Sequence, residues 1–407
     1  MPRNGAQLVR LPRRAPKKGL QWPLGIREDV EVKIDRNRWI HLPILIAALA
    51  AMAGVLSAQQ KTTPPSLPQI NSAGQLGPQP PVGSGGCSVT APTCADVAPA
   101  IIQSALGRSS FAENLHHLVG QSSGVAAGAR AVRWAVAAFR QAGVDDVHVE
   151  TYTLSTRALR QIGIPASHPI QGQDVIAEIR GRMQPNDYVL LGAPLNSSNH
   201  SSSAYDDACN AAIVIAAARA IHAAGTRPLR SVRFVLFTGG ERGTIGAWAY
   251  VKRHRAALGR VDAAIFYDRG AGRVTGYDLG GRKTIEKRLH EALVPASPLG
   301  ALHDTDGAQL GDENFDFLLE GVPNLVANRA PGADSGAFTK SRIAALEHQA
   351  ALAALTAYGI ADLPERLGPR QSRAQIATLL AQTGLEKEMK SRRIWSLWQE
   401  GKRGRRP

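Results

Sequence analysis

One carboxylate stands at the exit of an apolar run. Val232 to Gly246 reads VRFVLFTGGERGTIG, and its β-branched and aromatic part, Val232 to Phe237, predicts a buried strand. The strand ends in Gly239-Gly240, and Glu241 follows. In open α/β sheets, ligands bind outside the carboxyl ends of the strands, so Glu241 is placed for chemistry. Its plainer role is an exposed ion pair with Arg242. Two more acidic positions have comparable placements. Asp206-Asp207 precedes an apolar helical stretch, where paired aspartates would cap the helix and favour its dipole. Asp268 follows a second strand-like run, Ala263 to Tyr267.

The elements that must position these groups alternate along the chain. Helical periodicity predicts helices over 112–119, 129–142, 210–224, 246–257 and 344–360, with smaller ones at 372–380 and 394–399. Strands are predicted at 146–154, 174–180, 188–193, 232–238, 263–268 and 324–328. Such alternation makes an α/β fold, with helices on both faces of a mostly parallel sheet. This domain runs from residue 96 to 366, and residues 367–407 form C-terminal helices and a basic tail.

The N-terminal part differs. Residues 1–38 hold ten Lys or Arg against four acids and read as a basic cytoplasmic segment. Trp39 to Ser57 has no formal charge and about the length of a bilayer span. It is either an uncleaved anchor or a signal segment cleaved near Ala58, and in both cases the main domain is exported to the cell envelope. Residues 58–95 are a Pro-, Gly- and Ser-rich linker without fixed structure. Cys87 and Cys94 at its end either pair in a disulfide or stay as two thiols, and Cys209 reads as a small buried packing residue. The net charge of +15 sits largely in the two ends, including four basic groups in the last six residues, which are expected to be solvated. No helix-turn-helix, finger or aromatic platform is present, so no nucleic-acid partner is expected.

In order along the chain, GAPLNS (192–197), AYDDACNAA (204–212), the Glu241 loop, YDRGAGRVTGYDLGGR (267–282) and FDFLLEGVPNLVAN (315–328) together resemble the twenty-eighth metallopeptidase family. These are two-zinc exopeptidases related to aminopeptidase Y and plasma glutamate carboxypeptidase. The resemblance extends over roughly residues 110–400. It implies a three-layer αβα sandwich with a mostly parallel mixed sheet, preceded here by a single N-terminal hydrophobic segment. It also implies metal ligands at Asp206, which would bridge the two ions, at Glu241 and at Asp268, with Asp207 in the layer around them. Where the family has G-A-H-L-D-S, this chain has Pro194 for the histidine ligand and Asn196 for the aspartate that orients it. Where the family has a general-base glutamate, this chain has Gly240. The last histidine ligand is replaced near Gly332, with no histidine between His303 and His348, and His348 falls inside the 344–360 helix as an expected surface residue. His200, in a serine-rich loop, is the nearby imidazole that remains.

Proline has no donor atom for a metal, and glycine accepts no proton. General-base assistance is worth about 10²–10⁴ in rate. Retained carboxylates without imidazole suit Mg²⁺, Ca²⁺ or Mn²⁺ better than zinc, and Arg269 is placed in sequence to neutralise Asp268 instead of a metal. The family implies zinc; the substitutions imply a site that holds little or none. The expected function is therefore an exported exopeptidase homologue that has become a pseudopeptidase, binding a peptide or another envelope protein. The alternative is an active zinc exopeptidase with an atypical metal site.

Overall fold

The computed structural model describes residues 92–107, 111–120, 125–195, 202–239, 244–330 and 339–406, all within a compact unit from Ser88 to Pro407. The elements run α1 (Cys94–Leu106), α2 (Phe111–Gly120), α3 (Val125–Gln141), β1 (Asp146–Leu154), α4 (Thr156–Gln161), β2 (Ile170–Ile179), β3 (Gln184–Pro194), α5 (Ser202–Ala223) and β4 (Arg230–Phe237). Then come α6 (Ile245–Arg253), β5 (Val261–Phe266), β6 (Val274–Asp278), α7 (Glu286–Leu293), α8 (Phe315–Leu319), β7 (Asn324–Arg329) and α9 (Lys340–Asp362). Three short helices follow: α10 (Arg373–Gln382), α11 (Leu385–Ser391) and α12 (Trp395–Gln399). No helix among the described residues is long and apolar enough to cross a membrane. Trp39–Ser57 and Cys87 lie outside those residues. Cys94 is the first residue of α1, and burial pushes its thiol up to about 12.

The seven strands form one sheet in the order β1-β2-β4-β3-β5-β7-β6. The central four, β4-β3-β5-β7, are parallel, and β1, β2 and β6 run against their neighbours. The sheet is mixed, as expected, but its parallel character is confined to the centre. β1 and β2 pair antiparallel along their whole length, and β6 pairs antiparallel with β7 at the other end of the sheet.

Alternation of side chains separates two cores. Val175, Ala177, Leu191, Val232, Phe234 and Ile265 face α1, α3, α5 and α9 on one side. Ile176, Leu190, Val235, Phe237 and Phe266 face α6 and α8 on the other. α5 is buried on nearly every side from Ala208 to Ala218, because small alanines let the sheet and its neighbouring helices approach together. On the opposite face, the packing of α6 depends on Gly246. A Cβ there would lie 2.4 Å from the Thr238 carbonyl and 2.6 Å from Asp174 Oδ1. Gly246→Ala is therefore expected to destabilise the domain by about 1–3 kcal/mol, against the usual gain of alanine in a helix. A urea melt of the variant checks this.

The C-terminal segment is not a solvated tail. α10 to α12 pack Ile376, Leu380, Met389 and Trp398 against Phe315, Leu318 and Leu319 of α8. Arg403 is 4% exposed and makes a fork-to-fork pair with Asp316, 2% exposed, through Nε–Oδ1 and Nη2–Oδ2 bonds of 2.8 Å each. Several other arginines donate to loop carbonyls: Arg230 to Leu363 and Pro364, Arg282 to Gly321 and Pro369, Arg366 to Gly259 and Val261, and Arg370 to Glu320.

Candidate functional site

The parallel strands end together. Pro194 of β3 is opposite Phe237 of β4, Gly192 is opposite Phe266 of β5, and Phe266 is opposite Val326 of β7. The exits therefore carry Pro194, Thr238, Asp268 and Arg329 along one edge of the sheet. The chain passes from β3 through α5 to β4 on one side, then from β4 through α6 back across β3 to β5 on the other, and this reversal of strand order makes the edge a topological switch point.

Pro194 is buried at the end of β3 and offers no donor side chain. Asp206 and Asp207 are half-buried, one turn inside α5. They do not cap the helix, which begins four residues earlier, at Ser202. Burial raises the Asp206 carboxyl above its ordinary value, against the opposing pull of Arg329 and then Arg342. Arg329 is held by several partners. Its guanidinium donates to the Arg269 carbonyl at 3.0 Å and the Gly272 carbonyl at 2.9 Å, and also to Gln349 and Asn210. It also lies 5.2 Å over the Tyr267 ring.

Asp268 is pushed up to about 7, by burial first and then by the neighbouring Asp312. It accepts the Glu313 N–H at 2.6 Å. Arg269 does not neutralise it directly. That side chain turns to Asp312, at 2.7 Å, and to Asp278. Burial works against ionisation of Asp278, but bonds from Thr305, Arg269 and Asn328 hold its carboxyl below the usual range.

Glu313 was not singled out in the sequence. It is 1% exposed, and its Oε2 has no hydrogen-bond partner. Burial holds it well above the ordinary glutamate value, reinforced by Asp268, Asp174, Asp207 and Asp316. Its signal was the acidic pair Asp312-Glu313 directly before the buried FDFLL helix, a place where a solvated acid has no room. Among the described residues, no group of three His, Cys, Asp or Glu side chains is arranged to hold a metal ion. His303 is exposed, and His348 is half-buried on α9 rather than at the surface. Cys209 is fully buried, and burial pushes its thiol up to about 12, so it is a packing residue.

Asn196, His200, Gly240, Glu241 and Gly332 lie outside the described residues. The segment carrying Gly240 and Glu241 rejoins the fold at Thr244, a buried β-branched residue with φ of 58°, in the left-handed region. That conformation is strained for threonine, and such strain gathers beside functional loops.

Residues 174–340 match the model of Peptidase family M28. The chain is 31% identical over 150 residues to carboxypeptidase Q of Mus musculus, covering 37% of this chain and 32% of that protein. It thus spans about a third of the length of the curated relatives it matches. A peptidase M28 precursor from Shewanella amazonensis superposes with a TM-score of 0.59 at 19% identity, covering 69% of this chain and 99% of the other. An aminopeptidase from Aneurinibacillus sp. strain AM-1 gives 0.52 at 13% identity, covering 67% and 98%. At these identities the two structures establish a shared fold.

Proposed function

Since this chain is a relative of the M28 zinc exopeptidases, we propose that it is an exported pseudopeptidase, which binds a peptide or an envelope protein and does not hydrolyse it. The observation that carries the reading is the chemistry at the end of β3. A buried proline stands where the resemblance places an imidazole ligand, on the strand at the centre of the switch point.

The described donors do not fit a dinuclear zinc centre. Pro194 supplies nothing, and no group of three His, Cys, Asp or Glu side chains among the described residues is arranged to hold a metal ion. Arg329 supplies a fixed positive charge close to Asp206. Glu241, Gly240, Asn196 and the segment around Gly332 enter this reading from the sequence alone.

Binding would use the same edge of the sheet, with the Asp206 and Asp268 region as an acidic floor. Elemental analysis of the purified protein, without added metal, is expected to find far less than two zinc per chain. A panel of aminoacyl and dipeptide substrates with added zinc is expected to show no chelator-sensitive turnover. Two bound zinc ions, with hydrolysis abolished both by chelator and by Glu241→Ala, would establish the active alternative. Export and anchoring rest on Trp39–Ser57, and fractionation of the full chain is expected to place it with the envelope membranes.

A further inference from the structure

Away from the strand ends, a cavity of about 530 Å³ lies between α4, α6 and the segment after α12. Lys252, Arg255, Lys402 and Arg406 line it, with Glu400 as the opposing acid. Glu400 is already paired with Lys402. Arg255 is held by Glu320 Oε1 at 3.0 Å and by the Gly404 carbonyl at 3.3 Å, yet its Nε is buried without a partner. Lys252 sits 4.7 Å over the Trp248 ring, and neither Lys252 nor Arg406 has an ion pair among the described residues. Ala158, Ile162 and Trp248 give the cavity an apolar wall.

We propose that this cavity binds a phosphorylated ligand, with the phosphoryl group held by Lys252, Arg255 and Arg406 and an organic body set against Ile162 and Trp248. Like charges gathered around a concavity repel one another unless an anion sits between them. A phosphomonoester carries a charge of about −1.5 to −2 and offers three acceptor oxygens, which match several cations better than one carboxylate does. The cavity is of the size that encloses a small organic molecule. Its basic wall is positioned by the Arg403–Asp316 pair, which fixes the chain between Lys402 and Arg406.

The phosphoryl group has two sources, a soluble metabolite or a lipid headgroup. The test uses the full chain with two probes: pyrophosphate in a calorimetric titration, and phosphatidylcholine vesicles containing phosphatidic acid in a sedimentation assay, scored as the excess over vesicles of phosphatidylcholine alone, for which Trp39–Ser57 also gives affinity. Saturable binding of either probe, weakened at least about tenfold by Lys252→Glu with Arg406→Glu, supports the site. Pyrophosphate alone points to a soluble ligand, and vesicles to a lipid. Both substitutions are at exposed positions, so the ligand-free melt should stay near that of the parent. No saturable binding of either probe, or equal binding by the double variant, overturns the proposal.

Discussion

Replacing Arg403 by alanine is expected to destabilise the domain by about 3–5 kcal/mol, a large share of its total stability. The substitution leaves Asp316 buried at 2% exposure with both carboxylate oxygens stripped of their guanidinium partner. The remaining charge then carries its full desolvation cost. The guanidinium also lies 5.3 Å over the Phe315 ring, so packing is lost with it. Arg403→Met combined with Asp316→Leu should recover much of the loss, since removing both halves leaves no buried charge. Urea melts of the two variants decide the matter. An Arg403→Ala protein within about 1 kcal/mol of the parent would mean that the pair contributes no more than a surface ion pair.

The second large effect concerns Asp174. It is 1% exposed on β2, accepts the Thr238 N–H at 2.9 Å, and is pushed up to about 8, chiefly by burial. The Thr238 bond and then Arg253 oppose the shift, while Glu150 adds to it. In the unfolded chain this carboxyl titrates near pH 4, so between about pH 4 and 8 the unfolded state releases a proton that the folded state keeps. Its contribution to stability is therefore complete below pH 4, declines as pH rises to about 8, and is level beyond. The decline amounts to several kcal/mol, about 5 at the upper limit. Asp174→Asn retains an oxygen for the Thr238 N–H and cannot ionise. Its stability should fall less steeply than the parent's from pH 5 to pH 8, leaving the variant the more stable protein at the alkaline end. Parallel pH profiles for the two proteins would contradict this.

The strands were legible because they are short runs of Val, Leu, Ile and Phe between turn residues. Val232 to Phe237 and Ala263 to Phe266 fall within their observed strands. The edge arrangement was not legible, since alternation does not tell which neighbour a strand pairs with. β6, a five-residue strand inside a glycine-rich stretch, has too little apolar pattern to stand out. The start of α5 was placed late because SSSAYDDA looks polar, and that displacement made Asp206 seem a cap. α4 and α8, six and five residues long, are fixed by tertiary packing rather than by their own periodicity.

At the site, Pro194 and Asp268 were placed at strand exits from sequence, and the structure puts both there. Glu313 was missed because paired acids in a polar stretch such as Asp312-Glu313 are normally solvated. Its burial comes from the way α8 folds beneath Asp268. The reach of Arg269 toward Asp312, past its immediate neighbour Asp268, depends on a residue 43 positions away. The C-terminal arginines were read as a soluble tail for a similar reason: composition records a charge but not whether a partner awaits it.

The arginines that hold loop carbonyls set a limit on editing this protein by charge. Arginine-to-lysine exchange at residues 230, 282, 366 and 370 would preserve the formal net charge of +15. Each exchange would replace a planar five-donor fork with a single mobile ammonium, which cannot span the two backbone acceptors that Arg230, Arg282 and Arg366 each bridge. Such a variant would have a nearly unchanged electrophoretic signature while losing the staples that tie residues 363–371 to the sheet domain.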